Sequence, residues 1–256
     1  MDYLNYLKAC RELEKKYPFI SVDSVGKSVM GKDILSLTVG VAKEYVLFIG
    51  GLHGTEHFTS SRLLAFFSSL CRALAEDGVI AGFKVRRALL GRALIVLPAL
   101  NPDGCEIASI GKSGCGNIAD RILKLSGGNM GGFRLNARGV DVELNFESGN
   151  RDSEPETASA ISLLKNTCVR HAVIFGEGER RLVTPKNYAR SDRLTRMSDI
   201  ITASTGFTVS DEKELSTGFV DRVYADFSVP AFKVLCNADD KTAQDLTELM
   251  MLFTVM

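Results

Sequence analysis

Apolar residues recur at two periods along this chain, and the switching between them sets the expected architecture. Tyr45-Val-Leu-Phe-Ile49 is apolar at every position, as in a strand covered on both faces. Gly91-Arg-Ala-Leu-Ile-Val-Leu-Pro98, His171-Ala-Val-Ile-Phe175 and Ala231-Phe-Lys-Val-Leu-Cys236 read as further core strands. Asp33-Ile-Leu-Ser-Leu-Thr-Val39 alternates like an edge or near-edge strand. Helical spacing marks the first 16 residues, the stretch Arg62 to Ala75 with Thr59 as N-cap, Ser191 to Ala203, and the tail from Thr242 to Met256. Ser153-Glu-Pro-Glu-Thr157 predicts another helix start, with Ser153 as N-cap and Glu156 closing a capping box. Ser21 to Gly31 reads as a turn-rich passage, Asn101-Pro-Asp-Gly104 as a turn, and Arg134 to Phe146 as irregular sequence ordered by contacts. Strands alternating with helices predict an α/β fold on a mixed sheet. With no linker in sight, a single domain over residues 1–256 is expected.

Composition narrows the partners. An apolar share of 45% is ample for a core, and 31 basic residues cancel 31 acidic ones. That balance removes the electrostatic case for nucleic acid or a membrane surface, and leaves peptides or small molecules. No apolar run approaches a membrane span, and the charged amphipathic start is unlike a signal peptide. Six cysteines are scattered without paired spacing, which predicts reduced thiols in a cytoplasmic protein and argues against a zinc ribbon.

The chemistry concentrates just after the first core strand, in Gly50-Gly-Leu-His-Gly-Thr-Glu-His57. Only three histidines exist in the chain, His53, His57 and His171, so a histidine-based metal site has few options. Two readings stand side by side. In one, His53 and His57 share a helix face as ligands and Glu56 is the general base. In the other, His53 and Glu56 are loop ligands and the rest of the site comes from elsewhere in the chain. The glycines at 50, 51 and 54 weigh against the helix.

An ordered series of motifs bears on that choice: Gly26-Lys-Ser-Val-Met-Gly-Lys32, Gly51-Leu-His-Gly-Thr-Glu56, Leu100-Asn-Pro-Asp-Gly104, Arg134-Leu-Asn-Ala-Arg-Gly-Val-Asp141, Asn145-Phe146, Ser153-Glu-Pro-Glu-Thr157, and Gly218-Phe-Val-Asp-Arg-Val-Tyr224 before Pro230-Ala-Phe232. In this order the chain resembles the zinc carboxypeptidases of the carboxypeptidase A-like family, in particular short bacterial members acting on peptidoglycan-type peptides. The resemblance implies a mixed, largely parallel eight-stranded sheet sandwiched by helices. It implies zinc on His53 and Glu56, and Arg134 as the cation that polarises the scissile carbonyl. It also implies departures. The third ligand's place falls on Phe175, the general base's on Leu235, and the Asn-Arg clamp for a terminal carboxylate on Glu143-Leu144. His171 is four residues back from Phe175, about 13 Å at strand rise, and too far to substitute.

Glu143 and Asp221 are expected to face the ligand. Lys233 shares a strand face with Leu235, which leaves two options open: it enters the pocket to pair with Glu56 or Glu143 in place of a missing cation, or it points outward. The expectation is therefore a zinc metallocarboxypeptidase-like protein whose zinc is weak or absent and whose hydrolytic competence is in question. The alternative is a non-catalytic binder of a peptide or amino-acid-like ligand on the same fold.

Overall fold

The computed structural model describes residues 2–146, 153–186, 191–210, 218–237 and 240–256, the side chains of 240–243 excepted. Its strands are Ile20–Lys27 (β1), Asp33–Gly40 (β2), Tyr45–Gly50 (β3), Val79–Ile80 (β4), Phe83–Lys84 (β5), Ala93–Leu97 (β6), Val169–Glu177 (β7), Arg181–Val183 (β8), Thr208–Ser210 (β9) and Ala231–Cys236 (β10). Its α-helices are Tyr3–Lys16 (α1), His57–Ala75 (α2), Val85–Ala88 (α3), Pro102–Ile110 (α4), Ala119–Leu125 (α5), Val142–Asn145 (α6), Pro155–Asn166 (α7), Asp192–Thr205 (α8), Gly218–Phe227 (α9) and Asp240–Val255 (α10).

Eight strands form one sheet in the order β1-β2-β6-β3-β7-β10-β8-β9, and β4 pairs with β5 as a separate hairpin. The four central strands, β6, β3, β7 and β10, run parallel. β2 joins them antiparallel on one side and β8 on the other. The sheet is therefore mixed around a parallel centre, with its strands' C-terminal ends gathered on one edge. Ligands of open α/β sheets bind at that edge.

Alternation along the central strands assigns side chains to two layers. Val46, Phe48, Val173, Phe175, Phe232 and Val234 pack with α1, α2, α8 and α10. Leu47, Ile49, Ala172, Ile174 and Ala231 pack with α6, α7 and α9 on the other face. β3 is buried at every position except Tyr45, in keeping with its unbroken apolarity.

Several local expectations change. Ile20–Lys27 is the edge strand β1 rather than a turn, because its first half alternates buried and exposed residues and pairs with β2. Asn101-Pro-Asp-Gly104 starts α4: Asn101 Oδ1 accepts from the Gly104 amide at 2.9 Å, and Pro102 sits where no amide is needed. α2 begins at His57 rather than near Arg62, and the Thr59 hydroxyl donates back to the Glu56 carbonyl instead of capping. α7 takes Glu154 at its N-cap, not Ser153, and the Glu156 carboxylate turns away to accept from the Val29 amide at 3.1 Å. No helix among the described residues is long and apolar enough to cross a membrane.

His171 is buried in this core, in register with Val46. Its Nε2 lies 2.9 Å from the Phe253 carbonyl oxygen and therefore carries the proton, while its Nδ1 has no hydrogen-bond partner. Burial pushes its pKa down to about 3, outweighing the bond to Phe253. Below about pH 6.5 the unfolded chain takes up a proton at this site that the folded chain refuses. As pH falls from there toward about 3, this one group should remove roughly 1.4 kcal/mol of stability per pH unit. Denaturant titrations at pH 7 and pH 5 should show His171→Gln, which keeps a donor for Phe253, losing less stability on acidification than the wild type. Equal losses would show that His171 does not control the acid limb.

Candidate functional site

β3 ends at Gly50 and α2 starts at His57, so residues 51–56 form a loop at the C-terminal edge of the sheet. His53 and Glu56 lie on that loop, and His57 is the first helical residue. The reading with His53 and His57 on one helix face is therefore corrected: the helix starts too late to include His53.

The loop is braced by neighbouring backbone. The Leu100 and Asn101 amides donate to the Gly50 and Gly51 carbonyls at 2.9 and 2.8 Å, and Asn101 Nδ2 donates to the Leu52 and Leu135 carbonyls. The Gly54 amide donates to the Arg134 carbonyl at 3.0 Å. A Cβ on Gly54 would lie 2.4 Å from both the Gly104 and Phe133 carbonyl oxygens, so only glycine lets the three chains approach. The stretch Arg134–Asp141 is shaped in turn by Asn136. Its Oδ1 accepts from the Arg138 and Val140 amides, and its Nδ2 donates to Glu154 and Glu156.

His53 is 3% exposed and lies between two carboxylates. Its Nδ1 is 2.9 Å from Glu56 Oε1, and its Nε2 is 3.2 Å from both oxygens of Asp141. Glu56 Oε2 also accepts from the His53 amide. Burial disfavours the charged imidazole, but the bonds to Asp141 and Glu56 outweigh it and raise its pKa to about 9. Burial likewise opposes ionisation of Asp141. Its contacts with His53 and with the Leu144 and Glu143 amides, which it caps at the start of α6, bring it down to about 2.

Glu143, the second residue of α6, is 4% exposed, and the Lys233 ammonium donates to both its oxygens at 2.6 Å. Glu143 Oε2 is also 3.8 Å from His53 Nε2. Lys233 therefore points inward. Leu144 stands 46% exposed beside this group.

The strand ends correct the placing of the third-ligand position. Phe175 turns to the opposite layer, where its ring meets Phe48 edge-on with centroids 5.3 Å apart. Gly176 takes the site-facing place: a Cβ there would lie 3.1 Å from Glu56 Oε1, 3.2 Å from Leu235 Cδ2 and 3.4 Å from Lys233 Cε. Leu235 thus lies beside Gly176 near Glu56, and Phe175 faces the other layer.

Glu177 is drawn off to α2, accepting from the Phe58 amide at 2.7 Å, a capping role that its sequence position did not announce. Arg134 is exposed at the rim, where its charge acts on Glu177. Asp221 lies on α9 and holds Lys186, accepting from its amide at 2.8 Å with the ammonium at 3.5 Å. His53, Glu56, Asp141, Glu143, Lys233, Leu235 and Gly176 are thus brought together, Arg134 lies nearby, and Asp221 secures a neighbouring loop.

A catalytic zinc needs three protein ligands and an open position. His53 and Glu56 here bond directly to each other. Gly176 has no donor, and among the described residues no group of three or more His, Cys, Asp or Glu is arranged to hold a metal ion. The residues present do not fit a three-ligand zinc centre.

Residues 6–193 match the family model described as Zinc carboxypeptidase, well over half of the chain. Gamma-D-glutamyl-L-diamino acid endopeptidase 1 of Lysinibacillus sphaericus is 22% identical over 147 residues, which is 57% of this chain and 37% of that protein. The chain spans 37 to 39% of the length of such curated relatives. A metallo-carboxypeptidase from Burkholderia cenocepacia superposes with a TM-score of 0.71 at 15% identity, covering 100% of this chain and 68% of that one. Murein-tripeptide amidase MpaA from Escherichia coli O157 superposes with a TM-score of 0.56 at 17% identity, covering 91% and 89%. At these identities the structural likeness concerns the fold.

The Lys233–Glu143 pair yields a stability prediction. Removing the ammonium leaves a buried carboxylate uncompensated, so Lys233→Met should cost about 3–5 kcal/mol, and the double variant Lys233→Met/Glu143→Gln should recover most of it. Denaturant titration of the four proteins in the cycle measures the coupling. A double variant whose loss equals the sum of the two single losses would show that the pair is not coupled.

Proposed function

The chain belongs to the zinc carboxypeptidase family, and on that footing we propose that it uses the family fold to bind a peptide or amino-acid-like ligand without hydrolysing it. The observation that carries this reading is the surroundings of Glu56. Gly176 and Leu235 flank it, and neither has a side-chain atom that ligates a metal or transfers a proton. Zinc-assisted amide hydrolysis requires a closed set of three ligands and a base for the attacking water. His53 and Glu56 are the remaining metal pair, and two ligands hold zinc weakly.

In this reading Arg134, at the rim, meets a carbonyl oxygen of the ligand. Glu143 sets the polar character of the site, and Asp221 acts at its margin through the Lys186 loop it holds. Glu143-Leu144 offers no bidentate receptor for a free terminal carboxylate, which favours ligands whose end is amidated, neutral or cationic. The activities named for the relatives, on gamma-D-glutamyl-diamino acid and murein tripeptide substrates, make peptidoglycan stem peptides the first ligands to try. The balance of 31 basic and 31 acidic residues supports such partners over nucleic acid or a membrane surface. All six cysteines are thiols, which supports a reducing, cytoplasmic setting.

Membership of a zinc-dependent family favours a second reading, a hydrolase using His53 and Glu56 with a rearranged third ligand. Calorimetry with stem peptides and their amidated forms, alongside mass spectrometry of the same mixtures after zinc dialysis, separates the two. Saturable binding without product is expected. Turnover abolished by both a chelator and Glu56→Ala would establish the hydrolase instead.

A further inference from the structure

Three features of the site point the same way. Glu143, which replaces part of the family's carboxylate clamp, is buried and takes the Lys233 ammonium on both oxygens at 2.6 Å. Lys233 leaves β10 on the face shared with Leu235, pairs in register with Ile174, and is 13% exposed. Its stem passes beside Gly176, where an added Cβ would be 3.4 Å from Lys233 Cε and 3.1 Å from Glu56 Oε1. A side chain long enough to ligate a metal from position 176 would compete with Lys233 for that space. The missing ligand and the inward lysine are therefore one steric arrangement.

We propose that Lys233 is a resident counter-cation that takes the electrostatic place of the metal dication, holding Glu143 beside the His53–Glu56–Asp141 group in a closed, metal-free arrangement. The inference rests on the non-hydrolytic reading above and gives it a mechanism. An ammonium inside the cluster repels an incoming dication. It also occupies both Glu143 oxygens, one of which lies 3.8 Å from His53 Nε2, and so withholds a carboxylate that could extend the His53–Glu56 pair. Each carboxylate of the group then has a donor within the chain, so ligand binding does not depend on metal supply.

The test uses the full chain and zinc ion alone, read by calorimetry and by thermal shift with and without zinc. The wild type and Lys233→Arg, which keeps the charge, should bind zinc weakly and show no zinc-dependent rise in Tm. Lys233→Met, which keeps the stem against Gly176, should gain at least about tenfold in zinc affinity and acquire a zinc-dependent rise in Tm. Lys233→Met/Glu143→Gln, which spares the fold a lone buried carboxylate, should lose that gain. If Lys233→Met is folded by circular dichroism and binds zinc no better than the wild type, the inference fails while the binding reading stands. If Lys233→Met does not fold, Lys233→Ala in the presence of zinc takes its place under the same criteria. Should the folded double variant retain the full gain, Glu143 is not the donor that Lys233 withholds, and the inference is overturned. Stoichiometric zinc on the wild type without turnover overturns the inference alone, whereas stoichiometric zinc with peptide turnover overturns the binding reading as well.

Discussion

The site depends on a close backbone approach at Gly54. Carbonyls from the start of α4 and from the stretch before Arg134 come so near that no side chain fits there. The hydrogen bonds that accompany the approach run from Gly54 to Arg134, and from Asn101 to Leu52 and Leu135. They join three segments far apart in sequence into one rigid floor. Buried polar groups with few alternative partners enforce a single arrangement. His53 and Glu56 are oriented from this floor, and Asp141 reaches them because the Asn136-centred loop ends beside His53.

On that floor the charges are arranged pairwise. Glu56 folds back on the His53 amide and ring, Asp141 divides its acceptors between His53 and the first amides of α6, and Glu143 is clasped by Lys233. Carboxylates this close repel one another unless each finds a donor. Each does so within the chain. The family fold is retained in the layers, whose packing does not depend on the loops at the sheet's end.

Where sequence reading succeeded and where it missed both have physical grounds. Tyr45–Gly50 was readable because a strand buried on both faces leaves little choice but apolar residues, and Ala231–Cys236 because only Lys233 interrupts its apolar run. Phe175 was assigned to the site and Gly176 was not, although they are neighbours. In a strand, one step in register exchanges the two faces, and pattern alone leaves a strand's last residue uncertain by that step. β1 was hidden because an edge strand with one open face carries too few apolar residues to stand out. α4 was hidden because Asn-Pro-Asp-Gly suits a turn and a helix start equally well until the chain beyond it is seen.

By itself, the order of residues determined the alternation of strands and helices, the parallel centre of the sheet, the presence of His53 and Glu56 on its ligand-binding edge, and the family to which these belong. Only the tertiary structure decided which side chains meet Glu56. It placed Gly176 rather than Phe175 at the site, turned Lys233 inward onto Glu143, and sent Glu177 to the start of α2. The reason is that periodicity and motif spacing are properties of one segment. The charge balance of a pocket is set by the register and facing of β7, β10 and α6, which meet only when the sheet and its layers are assembled.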